Sequence, residues 1–268
     1  MPVDLTTAMI GATVEFDQPL ADGKRTVGTA FLINAPMPDG SARTVLVTAG
    51  HVLDDMPGPT ARIGYRVQDA AGIWHFSLQP LAIRQPGGAP LWRRNPNHDV
   101  AVIAIQAPPE FARAAIPEAW LADEAAIQAA GIGPGDQMYD LGYPQGLAAN
   151  SDGFPIVRVG WVASYPLVPI SRYQTFLLDF RVFNGNSGGP VFITSDTRRR
   201  SGAPDVKAEF VAGMLTQQTR VGDERLELGI VVQAEFVRQT IDLLDRPIGA
   251  EPGPAAPVPA PAPVTGGR

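Results

Sequence analysis

The chain has 268 residues, 45% of them hydrophobic, enough to bury a sizeable core. Acidic residues outnumber basic ones, 27 to 21, and the net charge of −6 argues against a general nucleic-acid binder. There is no cysteine, and the three histidines lack metal-ligand spacing, so neither a disulfide frame, a structural zinc site nor a cofactor is expected.

In chain order, the opening residues carry Asp4, no basic segment and no long apolar run, so they do not read as a signal peptide. As written, the chain is expected in the cytoplasm, or in the periplasm or outside the cell if an export signal has been removed. No stretch reaches the ~18 apolar residues of a membrane span. Residues 8–16 have strand character, 17–25 are polar and turn-like, and 26–33 read as a strand. A turn over 36–40 leads to the strand 44–48. Short strands follow at 62–68, 74–78 and 100–105, a spacing that suits an all-β barrel or sandwich.

Residues 107–133 differ: 110–115 and 119–130 are rich in alanine and acidic residues and read as a helical linker. Strands resume at 137–143, 156–165 and 175–183, then at 210–216 and 228–233. Residues 234–244 carry Phe236, Val237, Thr240, Ile241 and Leu244 near helical spacing and read as a closing helix. Residues 247–268 hold seven prolines and no aromatic, a composition that cannot build a core, so they are expected to form a disordered, polyproline-like tail. Pro254 and Pro257 give it Pro-x-x-Pro spacing, a weak signal for partner recruitment. Arg198, Arg199 and Arg200 read as a solvated loop.

One stretch stands out for chemistry: Phe183-Asn184-Gly185-Asn186-Ser187-Gly188-Gly189-Pro190. Glycines at 185 and 188 let the backbone bend tightly around Ser187. Such a bend can aim the N–H groups of Gly185 and Ser187 at one point, where two donors would hold the negative oxygen of a tetrahedral intermediate. A serine hydroxyl also needs a base and a group to orient that base. Upstream, Thr48-Ala49-Gly50-His51 follows an apolar run, and Asn97-His98-Asp99-Val100 opens another. Taken singly, each residue also fits a plain structural role: Ser187 in a glycine turn, His51 at a strand end, Asp99 capping a turn. His98 is expected on the surface, since it neighbours Asp99 on an extended segment. His75, in an alternating pattern, is expected to be structural. The nucleophile elbow of α/β-hydrolases does not fit. Pro190-Val191-Phe192-Ile193 reads as a strand rather than a helix, and no histidine follows His98.

Thr-Ala-Gly-His, His-Asp-Val-Ala and Gly-Asn-Ser-Gly-Gly-Pro, in this order, resemble the three signatures of trypsin-like (chymotrypsin-fold) serine proteases. Leu141-Gly142-Tyr143-Pro144-Gln145-Gly146 resembles the start of that family's second barrel. Asn186 and the lack of cysteine look more like bacterial HtrA-type peptidases than the disulfide-bonded digestive enzymes. The resemblance covers roughly residues 25–240. It implies an all-β fold of two six-stranded antiparallel barrels with a C-terminal helix. The peptidase domain would span 1–246, with a first barrel over 8–106, a helical linker over 107–133, and a second barrel with its closing helix over 134–246.

The resemblance further implies a serine endopeptidase with His51, Asp99 and Ser187 as its triad, an oxyanion hole from Gly185 and Ser187, and polypeptide substrates. Thr216 resembles the small hydroxyl residue on the substrate-binding strand. Arg181 lies six residues before Ser187, where digestive enzymes carry the pocket-floor residue, and a cation there would favour an acidic side chain before the cut. In those enzymes an aspartate precedes the serine and pairs with a new N-terminal ammonium. Asn186 cannot make that ion pair, so local loop contacts are expected to set the oxyanion hole. A protease-like fold used only for binding or sensing is the alternative.

Overall fold

The computed structural model describes residues 4–194, 208–221 and 224–246. The expected tail and the Arg198–Arg200 loop lie outside the described residues. The fold is all-β with a C-terminal helix.

The first half contains β1 (Thr13–Pro19), β2 (Arg25–Pro36), β3 (Ala42–Thr48), β4 (Thr60–Gln68), β5 (Trp74–Ala82), β6 (Arg93–Arg94), β7 (Ala101–Ile105) and β8 (Ile116–Pro117). They form one sheet in the order β5-β4-β1-β2-β3-β7-β6, with β8 beside β2. The hydrogen-bonded path does not close: β5 and β6 stand at its two ends. Residues 28–33 of β2 are buried on both faces, because one face lines this half's core and the other meets the second half. Phe31 and Leu32 pair with Val47 and Leu46. Each such side chain is fully buried, worth about 1.5–3 kcal/mol.

The second half contains β9 (Gln137–Gly142), β10 (Ile156–Val162), β11 (Thr175–Asp179), β12 (Pro190–Ile193), β13 (Phe210–Val221) and β14 (Glu224–Gln233). These six close into an antiparallel barrel in the order β10-β11-β14-β13-β12-β9. Closure leaves no free edge. Met138, Leu178, Val191 and Leu215 fill its interior. Leu141, Phe192, Met214 and Val232 belong instead to the core of the first half, which binds the two halves together.

The structure corrects the reading of residues 8–16 as strand. A helix, α1 (Leu5–Ala12), comes first, and β1 begins only at Thr13. Asp4 caps it, Oδ1 accepting the Thr7 N–H at 3.0 Å, and Leu5, Met9 and Ala12 bury one helical face. Arg66 then clamps this helix to the second half. Its guanidinium donates to the carbonyls of Ile10, Gly11 and Gly153 at 3.0 Å, to that of Thr13 at 2.6 Å and to the Tyr143 hydroxyl at 2.8 Å.

Two short helices, α2 (Gly50–Asp54) and α3 (Pro109–Ala112), follow. The segment between the halves also holds α4 (Glu124–Ala130), capped by Asp123 and ended by Gly131 at φ 58°. The segment is stitched into the fold, since β8 pairs in parallel with β2 and Leu121 bridges Val211. The last helix, α5 (Ala234–Asp242), packs Phe236, Val237 and Ile241 onto the first core.

Candidate active site

β3 ends at Thr48, and α2 begins two residues later, placing His51 in its first turn. Asp99 precedes β7. Its approach is shaped by Asn95, whose Oδ1 accepts the N–H groups of Asn97 and His98 at 3.0 and 3.1 Å. Asp99 Oδ2 lies 2.6 Å from His51 Nδ1, and Oδ1 accepts the His51 backbone N–H at 2.9 Å. An ionised carboxylate only accepts, so this contact places the imidazole proton on Nδ1 and leaves Nε2 with a free lone pair.

Burial disfavours the charged imidazolium, but the hydrogen bond and charge of Asp99 outweigh it, and the His51 pKa rises above its ordinary value. Burial alone would raise Asp99, yet the His51 bonds and the Arg94 charge hold it below the usual carboxylate range. Arg94 Nη2 sits 3.5 Å from Asp99 Oδ1, and Nη1 of the same guanidinium pairs with Asp54. Gly50 makes this approach possible: a Cβ there would lie 2.8 Å from Arg94 Nε.

The serine loop comes from the second half. The Asn186 N–H donates to Phe183 O at 3.1 Å, closing a four-residue turn with Gly185 third at φ 95°. A positive φ at that position is the mark of a type II turn. The Asn184 carbonyl accepts the Gln145 N–H at 2.6 Å. The C=O and N–H of a trans peptide point opposite ways, so anchoring Asn184 O turns the Gly185 N–H away from Gln145. Among the described residues, neither the Gly185 nor the Ser187 N–H has a hydrogen-bond partner.

The loop is tied to the first half by Thr29. Its N–H donates to Ser187 O at 2.9 Å, its hydroxyl donates to Gly185 O at 2.7 Å, and the Tyr143 N–H donates to that hydroxyl at 3.0 Å. Gly188, at φ 91°, passes so close that a Cβ would stand 2.0 Å from Thr29 O. The halves thus meet at a cavity of about 550 Å³, lined by His51, Gln145, Asn184, Gly185 and Ser187 among others. No hydrogen bond joins Ser187 Oγ to His51; contacts of this kind tighten as substrate fills a cleft.

Two residues singled out in the sequence do not reach this cavity. Arg181 is exposed, 3.3 Å from Glu227 and stacked over Phe183 at 5.2 Å, so it does not project into the cleft as a free cation. Thr216 is buried, and its hydroxyl donates to Ile230 O on the neighbouring strand at 3.2 Å. His98 also differs from expectation. Its ring is half-buried, 3.7 Å from that of Phe236, and burial pushes its pKa down to about 4. His75 is exposed and pairs with Asp69 at 2.8 Å.

A closed six-stranded barrel stands against a second, mostly antiparallel sheet, with a histidine–aspartate pair and a glycine-flanked serine at the seam. Residues 28–198 match the trypsin-like peptidase domain family. The chain belongs to that family.

Solved structures share the fold. Two of HtrA-type protease AlgW with tripeptide are 16% and 14% identical, each at a TM-score of 0.50 over 90% of this chain. A third, of AlgW with decapeptide, is 15% identical at 0.51 over 91%. The chain spans 64%, 61% and 68% of the lengths of these three structures. No curated protein matches the sequence. Among the described residues, no helix is long and apolar enough to cross a membrane.

Proposed function

We propose that this chain hydrolyses peptide bonds in polypeptide substrates with Ser187 as nucleophile and His51 and Asp99 as its activating pair. The observation that carries this reading is the 2.6 Å bond from His51 Nδ1 to Asp99 Oδ2, with His51 and Ser187 on the wall of one cavity. Nε2 takes the Ser187 proton as Oγ bonds to the substrate carbonyl carbon, and the carbonyl π pair moves onto oxygen. That oxyanion is received by the free N–H groups of Gly185 and Ser187. Collapse of the intermediate breaks the C–N bond, and the imidazolium gives its proton to the departing amine. Water, activated by the same imidazole, then releases the acyl group from Ser187.

Asp99 fixes the tautomer that leaves Nε2 free and stabilises the imidazolium. Hydrolysis of an unstructured protein or a peptide library by the full chain tests the reading. Ser187→Ala should lower kcat by several orders of magnitude with the fold intact. Activity of that variant within tenfold of the parent would overturn the assignment and favour the binding-module alternative.

A further inference from the structure

The side chain of Asp140, on β9, is completely buried directly beneath the serine loop. Its Oδ2 accepts from Asn186 Nδ2 at 3.2 Å. Among the described residues, its other oxygen, Oδ1, has no partner, and neither does Asn186 Oδ1. Two buried acceptors without donors, on two side chains already joined by one hydrogen bond, are costly if the carboxyl is ionised. One proton cures both defects. A carboxylic acid and a primary amide are complementary: the amide N–H donates to the acid carbonyl, and the acid O–H donates to the amide oxygen.

We propose that Asp140 works as a neutral acid, protonated on Oδ1 and donating to Asn186 Oδ1, and that this acid–amide pair positions the turn that presents Ser187. The inference rests on the reading of Ser187 as nucleophile and adds a positioning residue to it. Asn186 is the last residue of the 183–186 turn and the neighbour of Ser187, so a two-bond clamp on its side chain fixes both the turn and the serine.

The surroundings agree. Across the ladders, Asp140 faces Arg158 of β10 and Val191 of β12. Gly189 of the serine loop comes close enough that a Cβ would be 2.9 Å from Oδ1. Arg158 is the charged group among these neighbours, and no ion pair joins it to Asp140. Its guanidinium donates to the Arg181 carbonyl and stacks on Phe180 and Phe183 at 5.0 and 5.3 Å. Burial therefore dominates, opposed by the Asn186 bond and by Arg158, and lifts the carboxyl from its ordinary 3.8 to about 7. Raising the pH past that range strips the proton, restores two orphan acceptors and loosens the clamp.

The test compares the full chain with Asp140→Asn and Asp140→Ala. An asparagine at 140 is a permanent stand-in for the protonated acid, donating through Nδ2 and accepting through Oδ1. In kcat/KM against pH, the parent should lose up to about tenfold per pH unit on its alkaline side. Asp140→Asn should lose that alkaline limb while keeping the acid limb set by His51, and Asp140→Ala should depress kcat at every pH. An alkaline limb identical in parent and Asp140→Asn, or none in the parent, would overturn the proposal.

A second readout needs no activity. A carboxyl with a raised folded pKa is protonated in both states below about pH 4, so it adds no pH-dependent penalty there. Between about 4 and 7 the unfolded chain ionises first, and stability falls. Asp140→Asn should therefore gain on the parent in urea unfolding from pH 5 to pH 8, and the ¹³Cγ resonance of Asp140 should titrate far above an ordinary carboxyl. If the parent proves inert at all pH values, the catalytic reading fails, while these two measurements still decide the state of Asp140. An ordinary carboxyl titration overturns the proposal whatever the activity.

Discussion

The backbone N–H of Gln145 meets the carbonyl of Asn184 at 2.6 Å, and this bond decides where the next amide points. Gln145 is one of two non-glycine residues with positive φ among the described residues, at 54°. A residue held in that region is a local cost of about 1–3 kcal/mol that its surroundings must sustain. Here it delivers an N–H to Asn184 O and frees the Gly185 N–H on the opposite side.

Gly185→Ala tests that arrangement. A Cβ would meet Tyr143 O at 2.3 Å and Gln145 N at 3.0 Å, at a backbone φ of 95°. The peptide must flip or shift, removing one of two proposed oxyanion donors. The expected loss is about 10²–10³ in kcat, or ~2.7–4 kcal/mol. Steady-state kinetics on a short peptide would check it; a kcat within a few-fold of the parent would show that the Gly185 N–H does not serve the oxyanion.

Arg94→Gln should move the acid limb of the pH–rate profile. As a base, His51 must be neutral, and its pKa lies above the ordinary value, so the rate should fall as pH drops through that raised value. Arg94 acts against the imidazolium. Removing its charge should raise the His51 pKa further and shift the acid limb to higher pH. A limb that stays in place or moves to lower pH would contradict the coupling.

Thr29→Val keeps the side-chain shape and removes the hydroxyl that bridges Gly185 O and the Tyr143 N–H. Each buried group left without a partner costs about 1–3 kcal/mol. Urea unfolding should show a loss of that order, and kcat should fall more than KM rises. Unchanged stability and kcat together would show that this link does not hold the two halves in register.

His51, Asp99 and Ser187 were legible because each lies in a short local pattern: a histidine after an apolar strand, an aspartate opening another, a serine among glycines. Their meeting was not local. It depends on Thr29 reaching Gly185 across 156 residues, a contact that no spacing announces. The strand reading of residues 8–16 holds from Thr13 on and fails at 8–12, because Asp4 capping Thr7 offers a helix that the apolar pattern alone cannot rank against a strand. His98 was misplaced because Phe236, which covers it, arrives on the last helix. Arg181 occupies the expected position in the chain, but Glu227 and Phe183 hold its side chain outside the cavity. Asp140 does carry a signal in the sequence: a lone carboxyl inside the apolar run Met138–Leu141, where an ionised group needs a partner.

The most direct measurement is covalent. The full chain and Ser187→Ala would each be treated near pH 8 with a serine-directed fluorophosphonate and analysed by intact mass and peptide mapping. The account predicts one phosphonyl adduct on the parent, located at Ser187, and none on the variant. An unmodified parent with its fold verified, or an adduct that persists in Ser187→Ala, would contradict it.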